Sequence, residues 1–306
     1  MKYLVTGAAG FIGSHLARAL LDAGHEVVAV DSFTDYYDPA RKKENAAGLG
    51  VVRADLALDP VAELVAGADA VFHLAGQPGV RAFGPVFADY LTRNPLATQR
   101  VFEAAAAAGV RVVYASSSSI YGDAERYPTP ESTPPRPNSP YGITKLACEH
   151  LAGAYARSFG LDAVGLRYFT VYGPRQRPDM AFTRIAEALA EGRPFELYGD
   201  GGQSRSFTYV ADVVEATVAA LGAEPGTIYN VGGDTEASMR EAIGLFEQIS
   251  GRSLDLRVGP PAAGDMRRTK ADTTRIRAEL GWAARTPPED GLRAQWEWAS
   301  GRVATR

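Results

Sequence analysis

The stretch Lys2-Tyr-Leu-Val-Thr6-Gly7-Ala-Ala-Gly10-Phe-Ile-Gly13 opens the chain with an apolar run, three glycines at three-residue spacing, and then a helical pattern. It reads as a buried strand over 2–6, a tight turn, and a helix over 14–23 closed by Gly24. Glycines at a strand-to-helix turn let backbone approach a pyrophosphate, and the helix N-terminus adds N–H groups and positive dipole. Gly7, Gly10, Phe11, Ile12 and Gly13 are therefore candidate cofactor contacts. The same alternation continues, with strands expected at 26–30 (ending at Asp31), 51–54, 70–74, 110–115 and 162–168. The longest helical patterns are 86–108 and 139–159, the latter with Pro140 in its first turn. Near-continuously apolar strands separated by helices imply a parallel sheet covered on both faces. The expectation is an α/β chain whose residues 1–168 form a Rossmann-type doubly wound parallel sheet.

After Tyr168 glycine and proline become frequent, as in Gly173-Pro174 and Gly201-Gly202. Helices are expected at 181–191, 211–221, 239–250 and 273–280. Residues 169–306 read mainly as a smaller substrate-binding lobe, with segments near 207–221 and 227–231 returning to the main sheet, and the tail from Ala299 reads as a frayed end. The chain has 306 residues, 46% of them hydrophobic, which is enough for a large core. A net charge of −4 offers no basic footprint for nucleic acid. No stretch approaches the roughly 20 apolar residues of a membrane span, and the apolar start is too short for a signal peptide. Cys148 is the only cysteine, so an intramolecular disulfide is excluded and a reducing cytoplasm is the expected compartment. His15, His25, His73 and His150 show no metal-ligand spacing, and no metal site is expected.

Tyr141-Gly-Ile-Thr-Lys145 puts a phenol and an ammonium one helical turn apart on one face. An ammonium held beside a phenol stabilises the phenolate, which a general base at a carbinol requires. Ser117 lies 24 positions earlier in the run Ser116-Ser117-Ser118-Ser119, where a hydroxyl could bond the same substrate oxygen. With a nucleotide-binding start, the three motifs read as hydride chemistry, with Ser117, Tyr141 and Lys145 as catalytic candidates. Asp31 ends the second strand; a carboxylate there accepts from both ribose hydroxyls and repels a 2′-phosphate, favouring NAD over NADP. Arg41, Lys42 and Lys43 follow as cations that could reach a phosphate. Further cofactor candidates are Ser32 after the second strand, Asp55 and Leu56 after the third, Leu74, Ala75 and Gln77 after the fourth, and Asn94, Ser116, Tyr141, Lys145 and Tyr168. Asn94 is either a group at the active site or a surface residue of the long helix.

The motifs Thr6 to Gly13, His73-Leu-Ala-Gly-Gln-Pro-Gly-Val-Arg81, Tyr114 to Gly122, Tyr141 to Lys145 and Leu166-Arg-Tyr-Phe-Thr-Val-Tyr-Gly-Pro174 resemble extended short-chain dehydrogenases that modify nucleotide sugars. The resemblance covers essentially the full length, and GxxGxxG is the glycine spacing of that family. Asp35-Tyr-Tyr-Asp38, the Gln77–Arg81 loop and Thr170 through Arg175-Gln-Arg177-Pro-Asp-Met180 are most similar to UDP-glucuronate 4-epimerases. The resemblance implies bound NAD, a UDP-sugar substrate (UDP-glucuronate or UDP-galacturonate), and a homodimer formed through the helices near 86–108 and 140–159. It assigns proton transfer to Tyr141, the tuning of that tyrosine to Lys145, and polarisation of the sugar 4-oxygen to Ser117. Substrate contacts would come from Gln77, Arg81, Ser118, Ser119, Thr170, Arg177 and Arg205, with Ser118, Ser119 and Thr170 near the C5 carboxylate. Related dehydratases and UDP-xylose synthases carry acidic residues just after the Ser/Thr; here Ser118 and Ser119 stand there, which disfavours both. UDP-glucose 4-epimerase is the remaining enzyme alternative, and a non-catalytic NAD-binding regulator the alternative of another class. The chain departs from the family at Ser206, at Ala262-Ala263-Gly264-Asp265, and at Gly76, where alanine is more usual.

Overall fold

A computed structural model describes residues 1–80, 82–260 and 266–304. The first half alternates strand and helix: β1 (Lys2–Thr6), α1 (Phe11–Asp22), β2 (Glu26–Asp31), α2 (Pro39–Ala46), β3 (Val52–Arg53), α3 (Val61–Val65) and β4 (Ala70–His73). Then come α4 (Phe87–Leu91), α5 (Ala97–Ala108), β5 (Arg111–Ser117), α6 (Pro140–Phe159) and β6 (Ala163–Tyr168). The second half holds β7 (Val171–Tyr172), α7 (Ala181–Glu191), β8 (Phe195–Tyr198), β9 (Ser204–Ser206), β10 (Thr208–Tyr209), α8 (Val210–Ala219) and β11 (Ile228–Val231). It ends with β12 (Glu236–Ser238), α9 (Met239–Ser250), β13 (Leu256–Gly259), β14 (Arg268–Thr269), α10 (Thr274–Leu280) and α11 (Pro288–Ala304).

Among the described residues, seven strands form one sheet in the order β11-β6-β5-β4-β1-β2-β3, and every pairing in it is parallel. This is the doubly wound Rossmann-type architecture expected, with the order reversing at β1 and β4. The inner strands are apolar because both faces are covered: Leu4, Val71 and Val112 pack under α3 and α5, while Val5, Phe72, Val113 and Val164 pack under α1 and α8. A third core joins α7, α9 and α11 through Phe182, Ile185, Leu189, Phe246 and Leu292.

Several expectations shift. Helix α1 begins at Phe11, three residues earlier than read, because the Gly10 backbone already serves as its N-cap. The expected helix over 86–108 is divided: Thr92–Leu96 form a wide π turn with Pro95 inside, between α4 and α5. Proline lacks the N–H that a regular helix needs and crowds the preceding turn, so the backbone widens there. Of the two returning segments, 228–231 joins the main sheet as β11, but 208–209 pairs with β7 in a separate ribbon and α8 packs on the sheet face. The tail is not frayed at Ala299: α11 runs to Ala304, and Ala299 is 0% exposed in the third core.

Candidate active site

The carboxyl ends of β1, β2, β4, β5 and β6 open into a cleft of about 770 Å³, the place where open parallel sheets bind ligands. Its walls hold Gly7, Gly10, Phe11, Ile12, Gly13, Asp31 and Ser32 at one end. Asp55, Leu56, Leu74, Ala75, Gln77, Ser116 and Tyr168 also line it. Ser117, Ser118, Ser119, Tyr141, Lys145, Thr170, Arg177 and Arg205 line the same cleft. Arg81 and Ala262 to Asp265 lie outside the described residues.

The glycine turn is built by close packing. A Cβ on Gly13 would stand 2.1 Å from the Gly7 carbonyl oxygen, and one on Gly7, whose φ is +72°, would stand 2.8 Å from the Ala75 nitrogen. Helix α1 thus starts against the turn, with its first N–H groups facing the cleft and no side chain capping them. Asp31 is held at the end of β2: its Oδ2 accepts from Ala9 N–H (3.1 Å) and its Oδ1 from Phe33 N–H (2.8 Å). The Lys42 ammonium lines the same end and donates to Thr34 Oγ1 (2.7 Å); burial lowers its pKa, against the pull of Asp31. Arg41 points away, 2.5 Å from Glu187. These features suit a dinucleotide: a side-chain-free cradle for a pyrophosphate and a fixed carboxylate for ribose hydroxyls.

The catalytic candidates converge on two elements. Helix α6 is capped by Ser139, whose Oγ accepts from Gly142 N–H (3.1 Å), with Pro140 in its first turn and Gly160 closing it at φ +67°. Tyr141 and Lys145 both face the cleft, and Lys145 Nζ donates to the Ala115 carbonyl (2.9 Å), which ties the helix to β5. Ser117 ends β5; its Oγ accepts from Ser119 N–H (3.1 Å) and lies 3.1 Å from Ser119 Oγ. The Ser116 hydroxyl faces α6 instead, donating to Glu149 Oε1 (2.5 Å), so what Ser116 offers the cleft is backbone. The Ser118 and Thr170 hydroxyls have no hydrogen-bond partner among the described residues and stand on the cleft wall.

Asn94 is 0% exposed and stands behind the wall. The π turn points it inward: Oδ1 accepts from Gln77 N–H (2.7 Å), and Nδ2 donates to Gln77 O (3.1 Å) and Thr144 Oγ1 (3.0 Å). It therefore splices the loop after β4 to α6. Gly76 belongs to this splice, since a Cβ there would lie 2.8 Å from Asn94 Oδ1 and 3.4 Å from Lys145 Nζ. The departure from alanine is thus matched to a close-set asparagine.

Arg177 is held by Asp179 in a two-pronged pair, Nε to Oδ1 and NH2 to Oδ2 at 3.0 Å each, and Tyr36 reaches the same carboxylate at 3.3 Å. The pair keeps the Asp179 carboxyl below its usual range despite burial. Arg205 donates to the Ser204 and Met266 carbonyls. Sequence reading missed Arg93, which donates to Gln77 Oε1 (2.8 Å), and Arg184, whose guanidinium lies 5.2 Å and 5.9 Å from the Phe195 and Tyr198 rings. Pro95 was a legible sign that the segment around Arg93 and Asn94 bends; Arg184 has no local signal.

The model of the NAD dependent epimerase/dehydratase family matches residues 3–232. The chain belongs to that family. Among its relatives, the Bacillus subtilis protein described as an uncharacterized UDP-glucose epimerase, YtcB, is 42% identical over 303 residues, covering 95% of this chain and 96% of that one. A probable UDP-glucuronate 4-epimerase of Rhizobium meliloti is 34% identical over 330 residues, covering 97% and 96%. The solved UDP-glucuronic acid 4-epimerase of Bacillus cereus, in complex with UDP-glucuronic acid and NAD, superposes with a TM-score of 0.95 at 39% identity, covering 99% of this chain and 100% of that one. The family reading of the motifs is borne out, and with it an NAD-dependent enzyme.

Proposed function

We propose that this epimerase interconverts UDP-glucuronate and UDP-galacturonate through a 4-keto sugar, with NAD retained through the cycle. The observation that carries the reading is one wall of hydroxyls. Ser117 at the end of β5, Ser118 and Ser119 beside it, and Thr170 after β6 line the same cleft as Tyr141 and Lys145, and no acidic residue stands among the serines.

NAD, when bound, supplies the hydride acceptor for the first half of the cycle and the donor for the second. Tyr141 takes the proton of the 4-hydroxyl and later returns one to the other face of the sugar. Lys145, anchored on Ala115, holds positive charge beside that phenolate. Ser117 bonds the 4-oxygen and orients it. A 4-keto uronate is a β-keto acid and loses CO₂ when its C5–carboxylate bond aligns with the carbonyl π system. Ser118, Ser119 and Thr170 hold the carboxylate out of that alignment while leaving it charged. Arg205, which lines the same cleft, is assigned to the pyrophosphate about which the keto sugar turns.

The test is purified protein with UDP-glucuronate, followed by NMR of the sugar H4 and anomeric signals, with UDP-glucose in parallel. UDP-galacturonate as product, without a pentose, supports the reading; a pentose would mean the carboxylate is unprotected. One observation favours a second reading, UDP-glucose 4-epimerase: Arg177 is already paired with Asp179, which lessens its pull on a carboxylate. Conversion of UDP-glucose at the expense of UDP-glucuronate would select it.

The same reading includes a homodimer in the cytoplasm, an NAD-binding part over 1–168 with β11 returning to it, and a substrate lobe over most of 169–306. Half-exposed Leu91, Leu96 and Ile143, on α4, the π turn and α6, support the dimer. A monomer at all concentrations in sedimentation would remove it. No helix among the described residues is long and apolar enough to cross a membrane.

A further inference from the structure

Glu149 continues the series Tyr141, Lys145 by one more turn of α6, so the three side chains form a stripe along one face. Two of them grip β5 at consecutive residues just before Ser117: Lys145 Nζ donates to Ala115 O at 2.9 Å, and Glu149 Oε1 accepts from Ser116 Oγ at 2.5 Å. Glu149 is also held from the next strand, accepting from Arg167 Nε at 2.9 Å and from Arg167 NH2 at 2.8 Å. Ser116 and Arg167 face each other in the β5–β6 register, so one carboxylate bridges both strands to the helix. The remaining Arg167 nitrogen donates to Tyr121 Oη (2.7 Å) and Glu131 O (3.0 Å), which extends the tie to the segment after the serine run.

The Glu149 and Arg167 side chains are 5% and 7% exposed, and neither lines the cleft. A buried ion pair is weak evidence for stability, because desolvation offsets much of the attraction and apolar residues of the same volume often serve as well. A carboxylate satisfied by three directed donors has few alternative arrangements, so what it specifies is position. The position specified is that of α6 over β5, the two elements that carry Tyr141 and Ser117.

We propose that Glu149, clamped by Arg167 and Ser116, is a positioning residue for the reaction, setting the rotation and height of α6 and thereby the separation of the Tyr141 and Ser117 hydroxyls. The proposal rests on the roles given above to Tyr141 and Ser117. The decisive variant is Ser116→Ala, because it removes one grip while leaving the Glu149–Arg167 pair, and with it the fold, in place; Glu149→Gln strands a buried guanidinium and is read only beside it. The measurements are kcat, KM and bound NAD per chain. The expected result for Ser116→Ala is a kcat about tenfold lower with KM and NAD content unchanged, as a displaced catalytic group requires. An unchanged kcat overturns the proposal, and so does a parallel loss of kcat, KM and NAD content, which marks an ordinary fold contact. The variant-to-wild-type ratio is taken with whichever of UDP-glucuronate and UDP-glucose the wild type turns over, so a wrong sugar assignment shows in the wild type alone and leaves the comparison standing.

Discussion

Gly142 sits between Tyr141 and Ile143, and replacing it with alanine tests how closely the catalytic helix must approach the serine run. A Cβ at 142 would stand 2.5 Å from the Ser119 carbonyl oxygen, 3.2 Å from its carbon and 3.0 Å from Pro137 Cβ. Ordinary contact begins near 3.4 Å, so about 0.9 Å of clearance is missing, and the obstruction is backbone that cannot rotate away. Either the first turn of α6 lifts or the 117–119 segment retreats, and both move Tyr141 relative to Ser117. Overpacking of this kind costs about 1–3 kcal/mol of stability. A misplacement near 1 Å costs on the order of 10²-fold in rate. The expected outcome for Gly142→Ala is a kcat lower by roughly 10- to 100-fold by the NMR assay, a melting temperature lower by a few degrees, and unchanged bound NAD. Gly153→Ala on the same helix is the control, since its Cβ would meet only the Arg157 side-chain tip at 3.3 Å. It should keep kcat and gain up to about 1 kcal/mol from helix propensity. If Gly142→Ala retained kcat within about threefold of wild type, close apposition of α6 and the serine run would not govern turnover.

Tyr141→Phe removes the proton-transfer group, and turnover should fall by about 10²- to 10⁴-fold while bound NAD survives extraction and assay. Thr170→Val and Ser118→Ala together should lower kcat/KM for UDP-glucuronate by about 10²- to 10⁴-fold, since each of the two hydrogen bonds to a charged group contributes about 1.5–3 kcal/mol. UDP-glucose turnover should stay near its starting value, and equal losses for both sugars would contradict the assigned carboxylate grip. Asp31→Asn should weaken NAD relative to NADP in equilibrium binding, with Lys42 nearby to receive the extra phosphate; an unaltered ratio would mean Asp31 only caps its turn. Acid sensitivity should follow His73, whose pKa burial pushes down to about 3 between Thr6 and Thr98. Its folded value lies below its unfolded one, so the unfolded state binds more protons. Stability is therefore lost as pH falls from about 6.5 toward 3, by roughly a few kcal/mol. His73→Gln should flatten the melting-temperature profile across that window.

How much was legible in the chain differs by element. The glycine turn, the β-α alternation and the Tyr-Lys pair were readable because each depends on residues adjacent in sequence. A missing Cβ shapes its own turn, a near-continuous apolar run needs a covered strand, and four residues make a helical turn wherever the helix sits. Asp31 and Ser117 were readable for the same reason, standing at strand ends. The divided helix was signalled by Pro95, but the widened turn that aims Asn94 at Gln77 and Thr144 depends on what packs against it. The tail offered no strong pattern, and α11 is a helix because α7 and α9 present an apolar face for Leu292 and Ala299 to cover.

The sequence by itself determined the Rossmann-type architecture, the family and the chemical groups of the site, since local spacing and side-chain type carry all three. Tertiary structure alone decided which groups remain available. Ser116 turns its hydroxyl to Glu149, Arg177 is paired with Asp179, Asn94 stands behind the wall, and Arg93 and Arg184 arrive at it from elements with no motif. The physical reason is that a hydrogen-bond partner or a neighbouring ring is a matter of distance in space, and strands and helices far apart in sequence supply it only once the sheet has ordered them.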